Sequence, residues 1–332
     1  MRSAETLRND ALRIWRAAVE AVQPARLIPE FVTCDRTHLA IGDEALPLDS
    51  IGRIVVVGGG KAAGAMAAAL EAALPDRLRV EGWVNVPADA MPPAHRITLH
   101  PARPPGMNEP TPEAAYGVRR MLGLVSGLNP DDVCVCLLSG GGSALLPAPV
   151  HGLSVEDKAV LARELSARGA PIGAINAVRR ELSEIKGGGL ARACRAGRLF
   201  SLVLSDVPGD SLADIASGPT APSMPDPKRA LRVLAEYDLD NTPVGRRAAA
   251  ALDRRLRTPS DEPTSRVTNL IIGNNAAAVD AAGVQAERLG YSHAMTSARQ
   301  PEGLADELGR RLAEIAAGMR RESGPDCLIS GG

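Results

Sequence analysis

Apolar positions follow two alternating rhythms along the chain. Leu7, Ala11, Ile14, Ala18 and Val22 recur at three- and four-residue intervals, which predicts an opening amphipathic helix that Pro24 ends. Residues 54–57 are a continuous β-branched run, suited to a strand buried on both faces of a parallel sheet. Gly58, Gly59 and Gly60 come next, then an Ala-rich stretch over 62–73 with high helix propensity. Strand, glycine turn and helix in that order make half of a βαβ unit.

The alternation continues. Strands are predicted over 83–86, 97–99, 133–138 and 199–204, and helices over 112–124 and after Ser154, with Asp157 completing a near capping box. Residues 176–186 predict a helix running into Gly187, Gly188 and Gly189. Pro219, Pro222, Pro225 and Pro227 stiffen a connection, helices follow over 229–237 and 246–257, and 258–263 reads as a linker. A second βαβ-like series follows: 267–272, 276–289, a strand near His293, 303–319 and 327–329. The expected fold is α/β. A Rossmann-like parallel-sheet domain takes residues 1–260, and a second α/β domain starts at 261 and is C-terminally incomplete at 332.

Composition narrows the function classes. The 332 residues are 45 % apolar and 23 % charged, enough to build a core without staples. Aromatics at 2 % leave no stacking platforms for single-stranded nucleic acid. Lys and Arg total 38 against 39 Asp and Glu, so the surface is not globally basic and no nucleic-acid partner is expected. No apolar run reaches the ~18 residues of a membrane span, and no signal-peptide core follows Met1, so neither membrane nor secretion is expected. Five cysteines without a CxxC pair predict reduced thiols in the cytoplasm, with Cys134 and Cys136 on one face of a strand. Five histidines without HxH or HxxxH spacing argue against a histidine metal site.

The candidate chemistry sits at strand ends. Gly58, Gly59, Gly60 and Lys61 with Ala63 fit the looser dinucleotide fingerprint, in which glycines admit a pyrophosphate to a helix N-terminus. The acidic marker is misplaced, with Glu81 opening the next strand, and Ala62 defeats a Walker A loop. The same glycines would equally allow tight strand-to-helix packing. Ser139, Gly140, Gly141, Gly142 and Ser143 can form an N–H nest for phosphate or carboxylate, while Leu145 excludes a nucleophile elbow. Asn176, Arg179 and Ser183 share one face of the predicted helix, with Lys186 two turns beyond Arg179, and suggest an anion site. Asp206 and Asp210 follow a strand's carboxyl end, where one could hold Mg2+ and the other accept a hydroxyl proton. Ser217 and Asn274 lie in similar small-residue turns. These parts suit phosphoryl transfer better than hydride transfer.

The blocks VVVGGGKAAGAMAAALE (55–71), LLSGGGSALLPAP (137–149), NAVRRELSEIKGGGLA (176–191), LVLSDVPGDSLADIASGPT (202–220), IIGNNAAAVDAA (271–282) and CLISGG (327–332) resemble, in order, the MOFRL-containing glycerate 2-kinase family. The resemblance implies ATP-dependent phosphorylation of D-glycerate at its 2-hydroxyl, in a cleft between two α/β domains. It places the catalytic lysine on Lys61 and brings the cleft blocks onto Ser139 to Ser143, Lys186 with Gly187 and Gly188, and Asp206 with Asp210. ATP and Mg2+ are the implied cofactors, glycerate the substrate, and a monomer or homodimer the assembly. The family also carries a later arginine-bearing GGRNQE-type block, beyond Gly332. A local departure follows His100 and Pro101, where Ala102, Arg103 and Pro104 replace the family's HPVPDE pattern. The alternatives are a nicotinamide-dependent hydroxypyruvate reductase, resting on the 58–63 turn, and an inactive protein that binds nucleotide or sugar acid.

Overall fold

The computed structural model describes residues 2–258, 263–300, 302–321 and 324–332. The chain opens with α1 (Ala4–Ala21) and α2 (Pro24–Phe31). Pro24 occupies the first turn of α2, where its missing N–H has no helical partner to lose. Three short strands follow as an antiparallel sheet, β1 (Val32–Cys34), β2 (His38–Ile41) and β3 (Glu44–Pro47). The main series is β4 (Ile54–Gly59), α3 (Ala63–Ala73), β5 (Val80–Pro87), β6 (Ile97–Arg103), α4 (Pro112–Ser126), β7 (Val133–Ser139) and the one-turn α5 (Gly142–Leu145). Next come α6 (Val155–Ala167), α7 (Ile172–Glu181), α8 (Gly189–Ala193), β8 (Arg198–Leu204), α9 (Pro227–Glu236) and α10 (Pro243–Arg257). The chain ends with β9 (Arg266–Gly273), α11 (Asn275–Arg288), β10 (His293–Ser297), α12 (Ala305–Met319) and β11 (Cys327–Gly331).

Six parallel strands form one sheet in the order β6-β5-β4-β7-β8-β9. Every residue of β4 and β7 is buried, which explains their unbroken apolar runs. Ile54, Val56, Val135 and Leu137 pack on one face with Met66 and Leu70 of α3. Val55, Val57, Cys134 and Cys136 pack on the other with Val118 and Met121 of α4, so the two cysteines do share a face. Helices therefore cover both faces. The strand order reverses between β4 and β7, and open α/β sheets leave a crevice beyond the strand ends at such a point.

Two expectations change, and one sheet was not expected. The strand expected to open the second domain, β9, is instead the sixth strand of the main sheet, paired with β8 from Arg198↔Arg266 to Leu204↔Gly273. Pairing there covers the β8 edge, which would otherwise expose a row of backbone groups. The separate sheet is the parallel pair β10-β11, joined through α11 to α1 by a cluster of Ile14, Val279, Ala282, Ala286, Tyr291 and Ile329. Tyr291 Oη donates to Asp10 Oδ2 at 2.8 Å, so the first helix packs with the last elements. Second, α7 stops at Glu181, so Ser183 and Lys186 do not continue the helical face of Arg179. Lys158 Nζ donates to the carbonyls of Arg179 and Leu182, and the Glu184 N–H turns to Ala148 O, ending the helix. The β1-β2-β3 sheet replaces what the sequence left unassigned; its strands are too short to show a period. Residues 259–262 of the expected linker lie outside the described residues.

The contact of β4 with β7 leaves no room beside Gly58. A Cβ there would sit 2.0 Å from the Leu137 carbonyl oxygen, and φ is +145°. Gly58→Ala should lower stability by about 3 kcal/mol or more, read as the shift in a urea unfolding midpoint. An unchanged midpoint would contradict this packing.

Candidate active site

Two glycine turns meet at the β4/β7 crevice, and their hydrogen bonding differs. In the turn after β4 the donors are engaged: Gly60 N–H reaches Asn85 O, Lys61 N–H reaches Gly140 O at 2.8 Å, and Ala62 N–H reaches Ser139 Oγ at 3.0 Å. A Cβ on Gly60 would lie 2.1 Å from Ser139 Oγ, so glycine is required for this approach. In the turn after β7 the N–H groups of Gly140, Gly141, Gly142 and Ser143 find no acceptor among the described residues. Gly141 adopts φ +77°, ψ 0° and directs the chain into α5. Consecutive free N–H groups of this kind make an anion seat.

Two adjoining hollows flank that loop. One, of about 420 Å3, is walled by Lys61, Ser139, Gly140, Ser205, Asp206 and Asn274 among others. The second, of about 320 Å3, is walled by Arg103, Asn108, Gly141, Ser143, Arg179 and Asp214 among others. Ser139 and Asp206 belong to both. Asp206 is exposed, and its carboxylate lies over Gly140, where a Cβ would meet Oδ2 at 2.3 Å. A Cβ on Gly141 would meet Arg103 Nη2 at 3.1 Å and Lys61 Cε at 3.4 Å. Lys61, the open loop, Asp206 and Arg103 therefore converge.

Lys186 stands behind this wall. It is 4 % exposed, and its Nζ donates to Ser143 Oγ (2.8 Å), Ser143 O (3.0 Å) and Ser217 Oγ (3.4 Å). The Ser143 and Ser217 hydroxyls are 2.9 Å apart. Burial, and then the charges of Lys158 and Arg179, hold the Lys186 amine well below the usual lysine range. Lys186 thus braces Ser143, and it walls neither hollow. Gly187 and Gly188 also work behind the wall: their N–H groups donate to Ser217 O and Gly218 O. Those bonds hold Ala216 (φ +51°) and Ser217 (φ +64°) in the left-handed region, which costs a non-glycine residue about 1–3 kcal/mol.

The remaining expected residues are placed as follows. Gly58 and Gly59 are buried in β4, and Gly60 lies beneath the crevice; none walls either hollow. Asn176 lies on α7 and walls neither hollow, whereas Arg179 walls the smaller one. Asp210 has φ +54° and accepts from Asn274 Nδ2 at 2.6 Å, while Asn274 Oδ1 caps α11. Among the described residues no three acidic, histidine or cysteine side chains cluster as a metal cage. A magnesium ion held mainly by phosphates needs one or two carboxylates, and Asp206 meets that requirement.

The family described as "Domain of unknown function (DUF4147)" matches residues 10–253. The chain is 36 % identical to a mouse glycerate kinase over 96 % of this chain and 63 % of the mouse protein. It superposes on the crystal structure of a Thermotoga maritima glycerate kinase with a TM-score of 0.77 and 32 % identity, covering 99 % of this chain and 74 % of that one. The chain belongs to the glycerate kinase family. A crystal structure of a Pyrococcus horikoshii protein aligns with a TM-score of 0.80 and 29 % identity, over 98 % of this chain and 74 % of that one. This glycerate kinase family member spans about 63 % of the length of the mouse relative. No helix among the described residues is long and apolar enough to cross a membrane.

Sequence reasoning missed Arg103, Asn108 and Asp214 as cavity residues of this family member. Arg103 was visible as a departure from the family pattern, but nothing in the sequence placed its side chain at Gly141. It also missed Lys158, whose amine is pushed down to about 7 by burial, then by Arg179 and Arg255. That amine binds its proton more weakly folded than unfolded. The unfolded chain therefore holds more protons between pH 7 and the ordinary lysine value of 10.5, and stability rises with pH across that window. Relative to Lys158→Met, the wild type should gain about 2–3 kcal/mol between pH 7 and pH 10 in paired urea titrations. A constant difference would contradict the assignment.

Proposed function

We propose that the protein transfers the terminal phosphoryl group of ATP to the 2-hydroxyl of D-glycerate, giving 2-phosphoglycerate. The observation that carries this reading is the loop of free N–H groups at Gly140 to Ser143, set between Lys61 and Asp206. In phosphoryl transfer a protein chiefly positions the reactants and neutralises charge. The Gly140 to Ser143 N–H groups hold phosphoryl oxygens, and Lys61, exposed and free to extend, neutralises them. Asp206, common to both hollows, stands where the acceptor hydroxyl meets the phosphoryl group, and takes its proton or holds magnesium. Mg2+, when bound, supplies further neutralisation of the phosphate charge. Asp210 supports this centre through Asn274. Lys186 and Ser217 keep Ser143 in place.

Membership in a family with relatives named glycerate kinase supports the same reading. The hydroxypyruvate reductase alternative rests on a pyrophosphate seat after β4, and the N–H groups of Lys61 and Ala62 are already engaged there. Five unpaired thiols, three of them buried, suit a reducing cytoplasm.

The test incubates full-length protein with ATP, magnesium and D-glycerate and identifies the product by 31P-1H coupling. Phosphate on C2 is expected. No transfer, or oxidation of NADH with hydroxypyruvate, would overturn the reading. Lys61→Ala should lower kcat by about 100-fold or more, as loss of a transition-state charge contact does. Its melting temperature should hardly move, because Lys61 is exposed. Unchanged turnover would remove Lys61 from the mechanism.

A further inference from the structure

Arg103 is a buried charge with little to hold it. The residue is 4 % exposed, and its Nε and Nη1 are shielded from solvent with no hydrogen-bond partner. Burial lowers its pKa, and Asp89 is the acid that partly opposes this. The side chain comes from the last residue of β6, at the carboxyl edge of the sheet, and reaches the wall of the smaller hollow. Nη2 lies against Gly141, in the middle of the open N–H loop. A guanidinium withdrawn from water without a partner destabilises the empty protein. Such a group persists where a ligand completes it, and a planar fork of donors matches a carboxylate.

The rest of the hollow supplies further donors, beside the carboxylates of Asp206 and Asp214 in the same wall. Arg179 stands in the same wall, and its pKa is lowered by burial with no acid opposing it. Ser143 adds a hydroxyl whose position is fixed by Lys186. The volume, about 320 Å3, admits a small acid and is well below the space that the two hollows offer together. Asp206 is shared with the neighbouring hollow, which holds Lys61 and Asn274.

The geometry points to a division of labour: the smaller hollow seats the acceptor acid, with Arg103 pairing its carboxylate, and the larger hollow takes the body of the phosphoryl donor, whose terminal phosphate meets the Gly140 to Ser143 loop between the two. This rests on the kinase reading and adds to it the residue that recognises the acceptor's carboxylate. Polyols without a carboxylate leave the guanidinium unpartnered and are rejected. Arg103 is thus a specificity-determining residue for the acceptor.

The experiment follows melting temperature and calorimetric binding of the full-length protein with D-glycerate alone, glycerol alone and ATP alone, for wild type, Arg103→Gln and Arg103→Lys. D-glycerate should raise the wild-type melting temperature and glycerol should not. Arg103→Gln should lose about tenfold or more in D-glycerate affinity, with a matching rise in KM at nearly constant kcat, and keep its ATP affinity. Arg103→Lys, which keeps charge without the fork, should fall between. Without ligand, Arg103→Gln should melt no lower than wild type, which separates a lost contact from a lost fold. Equal D-glycerate affinity in wild type and Arg103→Gln would overturn this inference and leave the kinase reading intact. Wild type that binds no D-glycerate would overturn both.

Discussion

The architecture of the crevice depends on one short tie between two strand ends. The turn after β4 donates two N–H groups to the turn after β7, from Lys61 to Gly140 O and from Ala62 to Ser139 Oγ. That tie takes up two acceptors of the second turn, whose own N–H groups find no acceptor among the described residues. It also needs two strands closer than side chains allow, which is why Gly58 and Gly60 have no Cβ. The glycine-rich segment that most resembles a nucleotide loop is therefore a clasp, and the loop that it clasps carries the free donors. The reversal of strand order at β4 and β7 supplies the opening above them.

Around this opening several buried cationic groups have no carboxylate as a hydrogen-bond partner. Lys186 and Lys158 direct their amines at serine hydroxyls and backbone oxygens, and Arg103 leaves two nitrogens without a partner. A buried guanidinium left without a hydrogen-bonded partner weakens the empty fold. The left-handed Ala216 and Ser217 add strain at the same wall, held by the N–H groups of Gly187 and Gly188. Strain and unpaired charge thus lie together at one edge of an otherwise well-packed sheet, a combination that functional sites carry.

Much of the fold was legible because buried parallel strands write themselves as unbroken apolar runs. The strand within 54–59, that within 133–139 and the helices between them followed from that signal and from glycine and proline punctuation. The membership of β9 was not legible, since sequence order says nothing about which edge a strand joins. The end of α7 was hidden because a lysine on another helix, Lys158, accounts for its terminal carbonyls. At the site, Lys61, Arg179, Asp206 and the Ser139 to Ser143 loop were identifiable from residue type at strand and helix ends. Gly187, Gly188 and Lys186 have the composition of an anion site, yet their hydrogen bonds go to Ser217, Gly218 and Ser143. Only three-dimensional accounting of donors separates such a brace from a binding loop.

That accounting can be tested amide by amide. Backbone 1H-15N spectra of the protein titrated with inorganic phosphate and then ATP report which N–H groups acquire an anion as acceptor. Large downfield shifts are expected at Gly140, Gly141, Gly142 and Ser143, with Gly60, Lys61 and Ala62 little changed. Shifts concentrated at Gly60 to Ala62, with the later loop silent, would contradict this.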